Sequence, residues 1–281
     1  MTVGEALVEV VHRLAEANLE DPRLEGRLLV AWATGLRPET VFGYPEKTVS
    51  EEALERLRAA VERRAVRVPL AQITGEREFW SLPFKVTAET LIPRPDSETL
   101  VEAVLHLDLP SSPMILDLGT GTGCLLLCLL REWSAASGIG VEINPAAAAV
   151  AQDNARALHI ANRAEIRIGD WTDVVAERFD LVISNPPYIP TGDIPDLQPD
   201  VRDHEPRRAL DGGADGLDFY RRLARDMCSL LKPNAWLAVE VGQGQAESVV
   251  RLLNEAGLVG ISAHNDLSGV PRCILGQWKS S

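Results

Sequence analysis

The segment Asn185-Pro186-Pro187-Tyr188 ends the largely apolar run Asp180–Ser184 with an amide, two prolines and a phenol. Neither proline has a backbone N–H and each has a fixed φ, so a strand ladder stops here. What the segment offers is a pair of acceptors in set directions: the Asn185 side-chain oxygen and the Pro186 backbone carbonyl. A planar –NH2 group, in an amide or on an aromatic ring, has a delocalised lone pair and is a poor nucleophile. Two acceptors on its two N–H bonds hold it and favour a more tetrahedral nitrogen, with Tyr188 flanking its plane. An isolated N-P-P-Y tetrapeptide also reads as a turn, so the neighbouring elements must decide.

A second group of candidates lies upstream. The strand Met114–Leu118 leads through Asp117 into glycines at alternate positions, Gly119, Gly121 and Gly123, and then a helix. Glycines let the backbone turn tightly and approach a ligand at a helix N-terminus. Glu142 follows Asp117 by 25 residues, at the tip of the next strand, where a carboxylate reaches two ribose hydroxyls. It also reads as a cap for the helix beginning at Pro145, although Asn144 can cap that helix itself. A third strand ends in Gly169-Asp170-Trp171, with an acceptor for an adenine amino group and an indole to lie beside the ring. Three consecutive strand ends carrying ligand-competent groups match the switch point of an open α/β sheet. The loop has neither a Walker lysine nor an arginine. An adenosine without phosphates, such as S-adenosyl-L-methionine, therefore fits better than NAD or ATP. With it, Asn185–Tyr188 stands where a methyl group would point. The chemistry is an in-line displacement on the sulfonium methyl, aided by positioning and electrostatics, leaving S-adenosyl-L-homocysteine.

The elements that position these groups alternate. Strands are expected at Met114–Leu118, Gly138–Ile143, Ala164–Ile168, Asp180–Ser184, Trp236–Val241, Leu258–Ala263 and Cys273–Gln277, with helices near 96–107, 123–133, 145–158, 217–231 and 245–256. Such alternation implies βαβ units and a parallel sheet covered on both faces. The connection before the last strand is too short for a crossover helix, so the last pair is expected to be antiparallel. Before residue 76 the pattern is helical. Thr2 and Glu5 fit a capping box, with Ala6, Val10, Leu14 and Ala17 forming a stripe. Pro22 opens a second helix with Leu24, Leu28 and Ala31 inward. Ser50 caps a third, with Leu54, Leu57 and Val61 inward. The expected domains are a helical, substrate-docking 1–75, a hairpin or packed linker over 76–95, and a catalytic 96–281.

The chain has 281 residues, 46% of them hydrophobic and 25% charged, and a formal charge of −13. Residues 1–75 hold 10 basic and 12 acidic side chains, against 18 and 29 in the remainder. That balance argues against binding nucleic acid mainly by phosphate neutralisation. Four cysteines without a C-x-x-C pair suggest neither a disulfide framework nor a metal site, and no metal is expected. The longest apolar run, Cys124–Leu130, is too short to span a bilayer, and the acidic start is unlike a targeting peptide; a cytoplasmic location is expected. Asp211–Gly216 has an EF-hand-like opening, but Arg222 stands where a bidentate Glu is required. Residues 242–245, Gly-Gln-Gly-Gln, read as a turn into the following helix.

Together "DLGTGTG", "GDW" and "SNPPYIP" resemble class I S-adenosylmethionine-dependent N-methyltransferases. Beyond that core, "REFWSLPFKVTAETLIPRPDSE", "EPRRALDGGADGLDFYR" and "DLSGVPRCILGQ" resemble the bacterial release-factor glutamine methyltransferases over nearly the whole chain. The resemblance implies a Rossmann-like seven-stranded sheet with a small N-terminal helical domain. It implies N5-methylation of the glutamine in the Gly-Gly-Gln loop of peptide chain release factors. A monomer with no direct nucleic-acid or membrane partner is expected. It assigns cofactor binding to Asp117, Leu118, Gly119, Thr120, Gly121, Glu142, Trp171 and Asn185, and the substrate glutamine to Asn185, Pro186, Pro187 and Tyr188. Glu142 stands where that family usually has Asp. The residues alone leave one rival open, an adenine-N6 methyltransferase acting on DNA or RNA. Such an enzyme requires base flipping and usually a base-reading module. "DGGADG" resembles a surface loop of the same family.

Overall fold

The computed structural model describes residues 1–279. The chain divides into two compact units: Met1–Gly75 with Gln198–His204, and Glu76–Leu197 with the chain from Glu205 onward.

The first unit is helical: α1 (Val3–Glu16), α2 (Pro22–Thr34), α3 (Glu51–Ala65) and α4 (Leu70–Thr74). Local chemistry sets the starts. The Thr2 hydroxyl accepts from Glu5 N–H while Glu5 Oε2 accepts from Thr2 N–H at 2.8 Å, a complete capping box. Asp21 and Ser50 cap α2 and α3. Ala6, Val10 and Leu14 of α1 and Leu54, Leu57 and Val61 of α3 are buried, as their spacing predicts. The α2 expectation needs correcting. Leu24 is 41% exposed and Leu28 only half-buried, whereas Gly26, Leu29, Val30 and Ala33 face inward along with Ala31. A Cβ on Gly26 would lie 2.9 Å from Val11 Cγ2, so the small residue sets which face of α2 meets α1. The short helix Pro199–His204 belongs to this unit through Arg64, which is 5% exposed. Its guanidinium meets Glu25 at 2.5 Å and Asp200 at 2.7 Å.

The second unit opens with a hairpin, β1 (Glu76–Phe79) and β2 (Leu82–Lys85). Trp80 and Ser81 turn it, both at positive φ (52° and 57°), the geometry that matches strand twist. Phe79 and Phe84 are buried edge-to-face at 6.3 Å, so this segment packs rather than tethers. After a turn at Pro95–Ser97 come α5 (Glu98–Leu105), β3 (Met114–Leu118), α6 (Cys124–Glu132), β4 (Ser137–Glu142), α7 (Pro145–Ala157), β5 (Ala164–Ile168), β6 (Phe179–Ser184), α9 (Asp218–Leu230), β7 (Leu231–Glu240), α10 (Ala246–Glu255), β8 (Leu258–Asn265) and β9 (Pro271–Trp278); α8 (Pro199–His204), between β6 and α9 along the chain, is the short helix of the first unit.

The seven strands form one sheet in the order β5-β4-β3-β6-β7-β9-β8. Pairings from β5 through β7 are parallel, and both pairs involving β9 are antiparallel. Ile115, Leu181 and Ile183 face one layer with the α6 leucines; Leu116, Leu118, Val182 and Leu237 face another with Tyr220 and Leu223 of α9. Strands apolar on both sides are what a sheet covered on both faces requires. β7 begins at Leu231, five residues before the expected start. The register slips between its pairing with Phe179 and with Leu181, and Asn234 adopts φ 63°. The irregularity spans Pro233, which cannot donate to a regular ladder. The strand order reverses between β3 and β6, where the Ser184 hydroxyl donates to the Leu118 carbonyl at 2.6 Å and locks the two strand ends together. Among the described residues no helix is long and apolar enough to cross a membrane.

Candidate active site

At the carboxyl end of β3 the chain turns through Gly119 (φ 73°), Gly121 (φ 56°) and Gly123 (φ 82°), a backbone region that side chains strain. The N–H groups of Gly119 and Thr120 donate to the Val141 carbonyl at 2.9 and 3.0 Å, which ties the loop to β4. Gly140 of β4 completes the fit, since a Cβ there would stand 2.8 Å from Thr120 Oγ1. The third glycine has a different use: Gly123 starts α6 and packs on Leu127 and Ala151.

Glu142, 8% exposed, accepts from Gly121 N–H at 3.0 Å with one oxygen and from Asn144 N–H at 2.9 Å with the other. Asn144 caps α7 through its own Oδ1, at 3.0 Å from Ala146 N. The carboxylate is therefore oriented by backbone donors, and its remaining lone pairs are open to hydroxyl groups.

Asp117 is 1% exposed and accepts from the Thr120 hydroxyl at 2.6 Å, while its Oδ1 is buried without a partner. Burial pushes its pKa up to about 7, against the lowering effect of the Thr120 hydrogen bond. An orphaned buried oxygen is costly unless something cationic or hydrogen-bonding meets it.

The third strand end is braced by an edge-on ring contact and a cation over the indole. Trp171 sits at φ 51°, its ring 3.5 Å from that of Phe219, with the Arg222 guanidinium 4.7 Å over it. Arg222 also donates to Asp170 at 2.7 Å, so Asp170 shares its acceptor capacity with a protein cation.

Gly119, Gly121, Glu142, Asp170, Trp171, Asn185 and Pro187 line one cavity of about 170 Å³. Asp117, Gly119, Thr120, Gly121 and Asn185 line a second of about 40 Å³, along with Ser97. Asn185 is common to both. Its Nδ2 donates to Ser97 Oγ at 3.1 Å, an assignment that leaves Oδ1 as an acceptor. Three candidates line neither cavity. Leu118 is fully buried, with its carbonyl taken by Ser184, and Pro186 is buried. Tyr188 turns its hydroxyl to Glu240 Oε1 at 3.3 Å, and burial raises its pKa.

Several residues that hold this arrangement are absent from the sequence expectations. Glu240, 2% exposed, ends β7 beside the Asn185–Tyr188 segment. A lone carboxylate closing the apolar "WLAVE" was the available signal, the same one that marks Glu142. Gln245 Nε2 donates to the Tyr188 carbonyl at 2.8 Å, so the Gly242–Gln245 turn does lead into a helix but also supports the tetrapeptide. The "DGGADG" expectation holds at its tip, where Ala214 and Asp215 are exposed, but needs correcting at Gly212 and Gly216, which are buried. A Cβ on Gly212 would meet the Pro187 carbonyl at 2.8 Å, and one on Gly216 the Tyr188 carbonyl at 2.3 Å. The loop backs the tetrapeptide so closely that only glycine fits.

Two family profiles match this chain, one described as the PrmC N-terminal domain at residues 5–75 and one as the methyltransferase small domain at residues 95–196. A curated protein from Rhodospirillum rubrum named "Release factor glutamine methyltransferase" is 46% identical over 100% of this chain and 86% of its own length. One from Cereibacter sphaeroides with the same name is 43% identical over 98% of each. Among solved structures, a methyltransferase from Pyrococcus furiosus aligns with TM-score 0.53 at 14% identity, over 82% of this chain and 100% of its own. The hMettl16 catalytic domain, solved with an RNA hairpin, aligns with TM-score 0.57 at 17% identity, over 78% of this chain and 81% of its own. At those identities the two structures speak to the fold alone.

Proposed function

The chain belongs to the release factor glutamine methyltransferase family, and from that premise we propose that it transfers a methyl group from S-adenosyl-L-methionine to the side-chain amide nitrogen of the glutamine in the Gly-Gly-Gln loop of peptide chain release factors. The relatives' shared name over essentially the whole chain carries the choice of glutamine over adenine. When bound, the cofactor supplies an electrophilic methyl carbon on a sulfonium.

The residues present fit that cofactor. Glu142, held by two backbone donors, accepts from the ribose hydroxyls, and Trp171 with its Phe219 and Arg222 bracing walls the adenine. The unpartnered Oδ1 of Asp117 accepts from the ammonium of the methionine moiety. Gly119, Thr120 and Gly121 let the backbone come close, with Leu118 acting through its place in β3 rather than through its side chain. Asn185 Oδ1 and the Pro186 carbonyl accept the two N–H bonds of the substrate amide, with Pro187 on the cavity wall and Tyr188 anchoring the far end of the segment. Asn185 and Pro186 would hold the amide nitrogen toward the bound cofactor's methyl group, contributing to the rate through positioning and electrostatics. The proton that must leave the methylated nitrogen goes to water.

On this reading residues 1–75 dock the release factor, 76–95 join the domains, and 96–281 carry the chemistry, in a monomer working in the cytoplasm without nucleic-acid or membrane partners. The test is radiolabelled methyl transfer from S-adenosyl-L-methionine to a purified release factor. Transfer should occur and vanish when the loop glutamine is replaced by alanine. Transfer to adenine in DNA or RNA, with none to release factor, overturns the proposal.

A further inference from the structure

Ser97, Glu240 and Tyr220 converge behind the Asn185–Tyr188 segment. Asn185 Nδ2 donates to Ser97 Oγ at 3.1 Å. Because that oxygen is accepting, its own proton is free to face the neighbouring Glu240 carboxyl, on which Ser97 acts. The Tyr188 hydroxyl reaches Glu240 Oε1 at 3.3 Å, and Tyr220 donates to the Glu240 backbone carbonyl at 2.7 Å. One carboxyl group thus joins, through two hydroxyls, the first and last residues of the four-residue segment.

The protonation state follows from geometry. Glu240 is 2% exposed, and its Oε2 is buried with no partner. The Tyr188 contact, at 3.3 Å, is too long to support a buried negative charge well. The cation that acts on it, Arg272, is already engaged by Asp266 at 2.9 Å and Asp96 at 3.3 Å. The other titratable groups bearing on it are the part-buried Tyr188 and Cys124 and the buried Tyr220 and Cys273, all with raised pKa values and so neutral, and Asp96, whose charge opposes ionisation.

We propose that Glu240 is a positioning residue for methyl transfer, holding Asn185 through Ser97 and Tyr188 directly, and that it does so as the neutral carboxylic acid. Burial, which pushes its pKa up to about 7, agrees with this. As pH rises through that value the buried group must ionise, and the segment rearranges to solvate the charge. At saturating cofactor, kcat for transfer therefore falls in the wild type as pH rises from about 6 to 8 relative to Glu240→Gln, whose isosteric amide cannot ionise.

The inference rests on the methyltransferase reading, and the experiment separates the two. Glu240→Ala and Glu240→Gln are compared with wild type for kcat and for cofactor Kd, with thermal melts as a check on folding. Glu240→Ala should lower kcat roughly 10- to 100-fold with cofactor Kd little changed. Glu240→Gln should recover most of that loss and flatten the pH profile. Equal loss in both variants overturns the neutral-acid role, and wild-type kcat in both overturns the positioning role. Absence of transfer by the wild type would fail the functional reading instead. The inference then stands or falls on an acceptor-free measurement, NMR of carboxyl-labelled glutamate with the Glu240 signal assigned by its loss in Glu240→Gln. The Asn185 side-chain amide and Tyr188 ring signals should titrate with Glu240; if they do not follow it, the inference is wrong.

Discussion

Asn185 illustrates how little a residue's type says before its neighbours are known. Its amide has a donor and an acceptor end, and Ser97 commits the donor, leaving the acceptor for a ligand. Asp117 is the complementary case. Its buried, unpartnered oxygen holds the group near neutrality, with a pKa of about 7. A cationic ligand group must draw the proton off. Cofactor affinity should therefore rise as pH increases toward and through 7, with proton release on binding below it, and Asp117→Asn should bind more weakly with a flat pH dependence. Calorimetry in buffers of different ionisation enthalpy reads both. Affinity that falls over this range would sink the assignment.

Among the elements, the loop between α8 and α9 and the turn before α10 matter as much as the strands. They press on Pro187 and Tyr188 from behind, through Gly212, Gly216 and Gln245. Gly216→Ala combines a positive φ of 75° with a Cβ 2.3 Å from the Tyr188 carbonyl. It should lower methyl transfer about 10-fold or more while changing cofactor affinity much less; unchanged kcat would show that the segment tolerates displacement. In the helical unit, Arg64 is buried between Glu25 and Asp200. Arg64→Ala strands two carboxylates and should destabilise that unit by about 3–5 kcal/mol, read by denaturant melts of the full chain. A loss below about 1 kcal/mol would mean that water replaces the guanidinium there. These features were poorly legible beforehand. Arg64 and Asp200 are far apart along the chain, and a glycine loop that packs under a strand end has the same composition as one that meets solvent.

For the whole molecule, two sets of carboxyl groups set the pH dependence of stability in opposite directions. Asp117 and Glu240 have raised pKa values of about 7, so the stability they contribute is present below their unfolded values and is lost as pH rises through 7. Glu177, lowered to about 2 by its hydrogen bonds with Arg167, and Asp211 and Asp266, also lowered, contribute stability above their unfolded values that is lost on acidification. Partial exposure makes the shares of Glu177 and Asp211 small, whereas Asp266 is buried. The unliganded protein should melt highest near pH 5–6, and the Asp117→Asn, Glu240→Gln double variant should lose its decline toward pH 8. A wild-type Tm that climbs steadily from pH 6 to 8 would contradict this.

Periodicity and turn chemistry alone were enough for the alternation of strands and helices, the antiparallel last pair, the helix starts at Thr2, Pro22 and Ser50, and the placing of Asn185–Tyr188 at a strand end. These are local or nearest-neighbour properties, written in residues a few positions apart. The glycine loop after β3 is legible this way too, but it gains its meaning from the acidic groups at the next two strand ends. Which face of α2 is buried, why Tyr188 points to Glu240 rather than into the cavity, and why Gly212 and Gly216 admit no side chain depend on atoms brought together from distant positions. No spacing rule encodes such contacts, since each is set by how whole elements pack. Tertiary structure therefore decided the part of the site that does not touch the ligand but aims the residues expected to do so.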